Sequence, residues 1–262
     1  GEIQTSGDKV QVNIRVIDAN TAALGWGGTF SKNKPDYLDL QNEIATKLAS
    51  ELKGGLADAE TQQLARKATE IPEAQAEYQA GRREWNKRSK EGFENAIKHF
   101  ERAIELDPNY ADPYVGLGDT YGLLSGYNFA LASEAMPKAK SYAEKAIELN
   151  PSLASPYTLI GWVQSRYEYD WTGAEESYKK AIDINPNQYN AWRGLASHEV
   201  TFGGNTLLPK NRQSKKAALK YAKGMVKARP AAPFSYQAKG NIERQYGDME
   251  AARTQYEKMT EA

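Results

Sequence analysis

Proline recurs along the second part of the chain and divides it into segments of similar length. Asp107-Pro108, Asn150-Pro151, Asn185-Pro186 and Arg229-Pro230 each follow a stretch with helical apolar periodicity. Proline has no amide hydrogen and cannot continue a helical hydrogen-bond ladder, so each pair predicts the end of a helix. The prolines are 43, 35 and 44 residues apart. That length holds two helices and their connections, so the sequence predicts a tandem array of helix pairs.

Aromatic and small residues keep constant positions relative to these prolines. An aromatic residue stands six positions after each proline, a small residue follows four positions later, and an alanine stands 12 positions before each proline and at the same place in a fifth unit. The members are Tyr114, Tyr157, Trp192 and Tyr236; Gly118, Gly161, Ala196 and Gly240; and Ala96, Ala139, Ala174, Ala218 and Ala252. Residues four apart share one helix face, and a small residue there lets two helices approach closely. Stacking such pairs buries a continuous core.

With these spacings the chain resembles the tetratricopeptide repeat (TPR) family, whose period is 34 residues. The resemblance covers residues 78–262, with repeats that end near Pro108, Pro151, Pro186 and Pro230 and a last repeat that runs to 262. It implies a mainly α fold, a TPR α-solenoid of about five helix pairs. Residues 56–77 are expected to form a helical linker before the array.

The first 55 residues follow a different pattern. The alternation from Val10 to Val16 has the period of a half-buried strand, and Ser6–Lys9 predicts a hairpin turn from an earlier strand that begins near Ile3. Leu24–Phe30 predicts a third strand whose glycines indicate a bulge or a close approach. The apolar stripe from Tyr37 to Leu52 predicts a helix. Together they predict a small α+β piece of three antiparallel strands and a helix.

Residues 1–55 resemble the second half of the α/β domain called TolB-amino-terminal-like or FlgO-like. The matching stretches are Gly7–Val12, Ile17–Ala19, Trp26 and Leu40–Ala45. In that family further strands and helices come first. A partial domain of this kind followed by TPR repeats resembles the C-terminal regions of bacterial signalling proteins, namely class III adenylate cyclases, winged-helix regulators and Ser/Thr kinases. The chain is therefore expected to be a piece of a longer protein.

Composition and motifs argue against an enzyme. The chain has no cysteine and two histidines, His99 and His198, so thiol nucleophiles and cysteine zinc sites are excluded. The sequence contains no P-loop, no GxSxG and no HExxH motif. No catalytic residue, no metal ligand and no cofactor or cofactor-binding residue is therefore expected. No apolar run approaches the ~20 residues that a membrane-spanning helix needs, so no membrane span is expected in this chain.

The TPR resemblance implies that the first helix of each repeat lines a concave groove that takes a protein or peptide. The candidate groove residues are Asp119, Thr158, Trp162, Arg166, Asn190, Arg193, Ser197, Asn241 and Arg244. Trp162 and Arg193 are of residue types that often anchor interfaces. For Trp162 the alternative is packing against the neighbouring repeat.

A second candidate surface is basic. Between Val200 and Ile242 the chain carries nine bases and no acid. The candidate basic face within residues 210–229 consists of Lys210, Arg212, Lys215, Lys216, Lys220 and Lys223. Such a run is either a binding surface for an acidic partner or a solvated helix face. Because aromatic residues are not interleaved with the bases, no specific nucleic-acid partner is expected.

These observations favour a non-enzymatic protein-interaction scaffold in the C-terminal sensory or regulatory region of a bacterial signalling protein. One alternative is the regulatory part of an adenylate cyclase or kinase whose catalytic domain lies upstream. The other is a binder of an acidic ligand through residues 210–229. The expected compartment is the cytoplasm, or the periplasm if an upstream membrane span tethers the chain. An unpaired sheet edge predicts either a homodimer or docking of the helix Tyr37–Leu52 on the first repeat.

Overall fold

The computed structural model describes residues 1–17, 24–33, 40, 43–48, 51, 68–202, 212–229, 232–245 and 248–261. It divides into two compact units, Gly1–Ala76 and Glu77–Ala262. The predicted fold class, mainly α with a small antiparallel sheet at the N-terminus, is confirmed.

The first unit contains strands β1 (Glu2–Ser6), β2 (Lys9–Ile17) and β3 (Leu24–Asn33), which pair antiparallel in that order. The β1–β2 turn places Gly7 at φ 58°, a backbone conformation that suits glycine. The register slips near the end of β2, where Val16 faces Trp26 but Ile17 faces Leu24. The predicted irregularity of β3 is thus a bulge at Gly25, the residue without a partner in this register.

One face of the sheet is covered. Val10, Phe30 and Leu40 form a small buried cluster, and Ile44 of the helical residues 43–48 packs against it. Residues 18–23, which connect β2 to β3, and both ends of the predicted helix lie outside the described residues.

The sheet supports a prediction about self-association. In the described part of the chain β1 and β3 are the edge strands, and Ile3 on β1 is 68% exposed. Backbone groups on such an edge can pair with a second copy. We expect light scattering to give the mass of a dimer for the full chain and of a monomer after deletion of residues 1–34. Two monomers over a wide concentration range would show that the chains do not pair by their strands.

The second part of the chain is helical. The helices are α1 (Pro72–Asn86), α2 (Lys90–Leu106), α3 (Ala111–Gly126), α4 (Ala132–Leu149), α5 (Ala154–Val163), α6 (Trp171–Ile184), α7 (Tyr189–Phe202), α8 (Arg212–Ala228), α9 (Pro233–Gln245) and α10 (Met249–Glu261). In the described part they follow one another as five pairs, and α5 continues into a π-helical turn, Gln164–Glu168. Helices α2, α4, α6 and α8 each end two residues before a repeat proline, as predicted.

Side chains reinforce the connections at these prolines. The side chains of Asp107, Asn150 and Asn185 each accept a hydrogen bond from the backbone amide two residues later, at 2.9–3.1 Å. This is the local turn for which Asp and Asn are favoured. The aromatic residue six positions after the proline then donates a hydrogen bond to the proline carbonyl. The three pairs are Tyr114–Pro108 at 3.2 Å, Tyr157–Pro151 at 3.5 Å and Trp192–Pro186 at 2.8 Å.

Small residues make the close helix contacts. The repeat alanines Ala96, Ala139, Ala174 and Ala218 are 0% exposed. The Phe100 ring lies so close to Gly81 and Gly116 that a Cβ atom at either glycine would approach it to 2.5 or 2.7 Å. The rings of one helix therefore rest on the bare backbone of the next.

The second repeat is longer than the third, and its extra residues lie around Ser125–Pro137. The structure extends α3 to Gly126 and begins α4 at Ala132, so Pro137 lies inside α4. The added length is absorbed mainly as helical turns. The equivalent extension in the fourth repeat, Phe202–Ser214, lies mostly outside the described residues.

Candidate functional site

The first helices of the pairs lie side by side along one face of the second unit. Helix α3 contacts α5, α5 contacts α7, and α7 contacts α9, whereas the second helices of successive pairs have fewer mutual contacts in the described part. The closer spacing makes this side the inner, concave face of the array. Every predicted groove residue lies on these helices or on the π-helical turn after α5.

Most of the predicted groove residues are accessible. The exposed members are Arg166, Asn190, Arg193, Ser197, Asn241 and Arg244. Thr158 differs because it is buried. Its hydroxyl group donates to the carbonyl of Ala154 at 3.2 Å and accepts from Nε2 of Gln188 at 3.2 Å. Thr158 therefore supports the packing below the groove and is not available to a ligand.

Trp162 is half-buried and contacts the preceding repeat. A Cβ atom at Gly122 would come within 2.5 Å of its ring, and one at Gly126 within 3.6 Å. The ring also packs against the cluster that contains Leu159 and Val163. Trp162 thus packs between α3 and α5, which is the inter-repeat packing that was the alternative for this residue.

A further group of polar and aromatic side chains lies on the first helices of the first two repeats. Tyr78 and Trp85 on α1 precede Asp112 and Asp119 on α3 by 34 residues each, so the two pairs hold equivalent positions in successive repeats. The Tyr78 ring centroid lies 5.4 Å from that of Tyr110, which brings the start of α3 beside α1. We call the group Tyr78, Arg82, Trp85, Asp112 and Asp119 the Asp119 site.

Neither carboxylate of this site has a direct partner. Asp112 and Asp119 make no hydrogen bond and no ion pair among the residues that the structure describes. The nearby cations are engaged elsewhere, since Arg82 and Arg88 place their guanidinium carbons 4.3 and 3.5 Å from the Trp85 ring centroid. The indole N–H of Trp85 is buried and has no acceptor within the described ranges.

The electrostatics of the site follow from burial. Burial raises the pKa of Asp119 to about 6, against the opposing positive charges of Arg82 and Arg88. Burial also raises the pKa of Asp112, again opposed by Arg82. Burial, together with the negative charge of Asp112, raises the pKa of Tyr78 to about 12. Burial thus removes part of the water from both carboxylates, and the positive charges of the arginines offset only part of the cost.

The sequence reasoning placed Asp119 in the groove but missed its surroundings. Tyr78, Arg82 and Trp85 were absent from the candidate set. The signal that could have found Tyr78 and Trp85 is their 34-residue offset from the two aspartates. The stacking of arginine on Trp85 is a contact that no spacing rule predicts.

The other candidates are less defined. Lys220 and Lys223 on α8 are exposed, Lys210 lies outside the described residues, and the side chains of Arg212, Lys215 and Lys216 are not described.

His99 pairs through Nδ1 with Oε2 of Glu77 at 2.7 Å. Within the described ranges no group of three or more His, Cys, Asp or Glu side chains could hold a metal ion.

Comparison with known proteins supports the repeat assignment. Residues 87–125 match a family model described as a TPR repeat. TTC0263, a thermophilic TPR protein of Thermus thermophilus, aligns with a TM-score of 0.53 at 15% identity over 72% of this chain and 90% of that chain. The fold is a TPR-like solenoid.

A second solved structure agrees with this assignment of the TPR-like solenoid. A double mutant of MamA RS-1 aligns with a TM-score of 0.51 at 13% identity, over 74% of this chain and 96% of that chain. At these identities the comparison defines the fold alone. No curated protein matches the chain.

Proposed function

We propose that this TPR-like chain is a non-enzymatic module that binds a protein or an extended peptide along its concave groove. The observation that supports it most is the row of exposed polar and charged side chains on adjacent inner helices, with Asn190, Arg193 and Ser197 on α7 and Asn241 and Arg244 on α9. Asn amides can donate to and accept from a peptide backbone, and Arg is a common interface anchor.

The place of this chain within a longer protein is also a proposal. The partial α/β unit before the repeats supports a place in the C-terminal sensory or regulatory region of a bacterial signalling protein, and the alternative is the regulatory part of a cyclase or kinase. In the described residues no helix is long and apolar enough to cross a membrane. The reading frame upstream of Gly1 tests this context. A cyclase or kinase domain there would favour the alternative, and an unrelated domain would contradict both.

Peptide binding can be tested on the full chain with a random nonapeptide library. For the selected peptide we expect Arg193→Ala to weaken binding by about tenfold, the loss of ~1.4 kcal/mol that is moderate for an interface arginine. Lys180→Ala on α6, an exposed change outside the inner helices, is the matched control and should leave the Kd unchanged. Selection of no peptide, or equal affinity in both variants, would contradict groove binding.

The basic segment supports a second candidate, an acidic ligand bound by α8, because Lys220 and Lys223 are exposed and no acid lies between Val200 and Ile242. The same library distinguishes it. Acidic peptides that bind in a steeply salt-dependent way, and that lose binding on reversal of Lys220 and Lys223 to Glu, would identify this surface. Salt-independent binding would leave α8 as a solvated face.

A further inference from the structure

We propose that the Asp119 site binds the guanidinium or ammonium group of an arginine or lysine in the peptide that occupies the groove. This inference rests on the groove binding proposed above and names the chemistry of one position in that peptide. It concerns the first two repeats, whereas the exposed cations Arg193 and Arg244 belong to the later ones.

The carboxylates of Asp112 and Asp119 have no hydrogen-bond or ion-pair partner among the described residues. A partly buried carboxylate without a hydrogen bond or ion pair has lost water and gained little in return. Asp112 and Asp119 are two helical turns apart on one face of α3, so both project toward the same part of the groove. A cationic group between them would restore the lost interactions through charge-assisted hydrogen bonds.

The aromatic ring of Trp85 lies in the same part of the chain and already binds cations. The Trp85 ring holds two guanidinium groups of this chain, at 4.3 and 3.5 Å, and so shows directly that the local geometry suits a planar cation. Arg88 reaches the ring from a left-handed backbone conformation, φ 53°, at the corner after α1. The ring's buried indole N–H lacks an acceptor in the described part of the chain, and a peptide carbonyl could supply one.

An aromatic ring also lies close to Asp119 along α3. Trp162 of the next repeat covers Gly122, which lies one turn beyond Asp119 on the same helix. An apolar surface at this position lowers the local dielectric and strengthens a carboxylate–cation pair.

The occupant is best assigned to a partner and not to this chain. Arg82 is the cation whose charge acts on both aspartates, yet its guanidinium lies over Trp85 and forms no ion pair with either of these described residues. Two acids and two arginines thus lie near one another, but the arginines do not form ion pairs with these described aspartates. An incoming basic side chain can pair with Asp119 while Arg82 keeps its position on the indole ring.

The test uses the full chain and blocked nonapeptides in which each position is fixed in turn as Arg, Lys, Gln or Glu. We expect one position to prefer Arg or Lys over Gln by about tenfold, as for a single charge-assisted hydrogen bond. Asp119→Asn should abolish that preference and still bind the Gln peptide. Asp183→Asn, an exposed carboxylate on α6, should keep the preference.

The outcomes separate the two proposals. A preference for Glu, no preference at any position, or a cation preference that survives Asp119→Asn would overturn the assignment and leave groove binding intact. If no peptide of any composition binds, groove binding fails and the assignment fails with it. Unfolding curves for each variant show whether a lost preference reflects a lost fold.

Discussion

Replacement of Phe100 by alanine is expected to destabilise the helical unit by about 3–5 kcal/mol, the cost of deleting a fully buried aromatic ring. Phe100 is 0% exposed and lies between Gly81 of the first repeat and Gly116 of the second. Its ring centroid is 5.8 Å from that of Tyr78. Because both neighbours are glycines, their helices have no side chains there that could fill the cavity. Urea unfolding followed by far-UV circular dichroism measures the loss.

Two further variants calibrate this result. Phe100→Leu keeps most of the apolar volume and should cost less than half as much. Tyr169→Ala removes an aromatic ring that is 68% exposed and should change the free energy of unfolding little. A loss below about 1 kcal/mol for Phe100→Ala would mean that this ring does not join the first two repeats.

Replacement of Asp119 by asparagine is expected to change the free energy of unfolding in the opposite direction and to stabilise the protein at pH 7. Burial raises the pKa of Asp119 to about 6 from an ordinary value of 3.8, so the folded state favours the neutral carboxyl group. The folded chain then binds more protons than the unfolded chain between those two pH values. Stability from this group is present at low pH and lost as the pH rises through about 6.

The expected gain in stability follows from the size of the rise in the pKa of Asp119. About two pH units correspond to roughly 2–3 kcal/mol, and partial solvent access to the side chain reduces this to about 2 kcal/mol. The groups near Asp119 are Arg82 and Arg88, whose positive charges oppose the rise of its pKa, and Tyr78, whose own pKa is raised mainly by burial and in part by the charge of Asp119. Asn removes the charge and keeps the shape.

The measurement is the difference in unfolding free energy between wild type and Asp119→Asn at several pH values. We expect a gain near pH 7 that disappears below about pH 4, where the wild-type carboxyl group is protonated in both states. Asp183→Asn provides the exposed control and should show no gain. A destabilised Asp119→Asn variant at pH 7 would mean that the carboxylate has a favourable partner, which would also contradict the cation site.

A residue that lowers stability where it stands is typical of a binding surface. The predicted effects of Phe100 and Asp119 therefore describe two different uses of successive helices, α2 of the first repeat and α3 of the second. Helix α2 supplies the ring that holds the two repeats together, and helix α3 carries a carboxylate whose charge is only partly compensated. The variants can be tested independently because the first is a core change and the second a groove change.

Most of the fold could be predicted from the sequence because its determinants are local. Proline cannot continue a helical hydrogen-bond ladder, and Ala96 or Ala139 marks a close helix contact by its size alone. The alternation in β2 likewise fixes which side faces the core. Pro137 shows the limit of the local rule, since α4 continues through this residue although proline lacks the amide hydrogen.

The site was only partly predictable because it depends on pairing between distant side chains. The position of Asp119 in the repeat indicates the groove, but its lack of a partner among the described residues follows from Arg82 and Arg88 stacking on Trp85. Thr158 has the same helical position as an accessible groove residue, yet Gln188 of the following repeat binds its hydroxyl group. Spacing identifies a face and does not identify which of its polar groups are already satisfied.

The most direct test of the account is a titration of the isotope-labelled full chain with the peptide selected from the library, followed by amide and indole chemical shifts. The account predicts that the largest changes lie on the inner helices α3, α5, α7 and α9, including Asp119 and Arg193, and at the indole N–H of Trp85. Changes confined to the outer helices α2, α4 and α6, or to the β1–β3 sheet, would contradict a ligand in the concave groove.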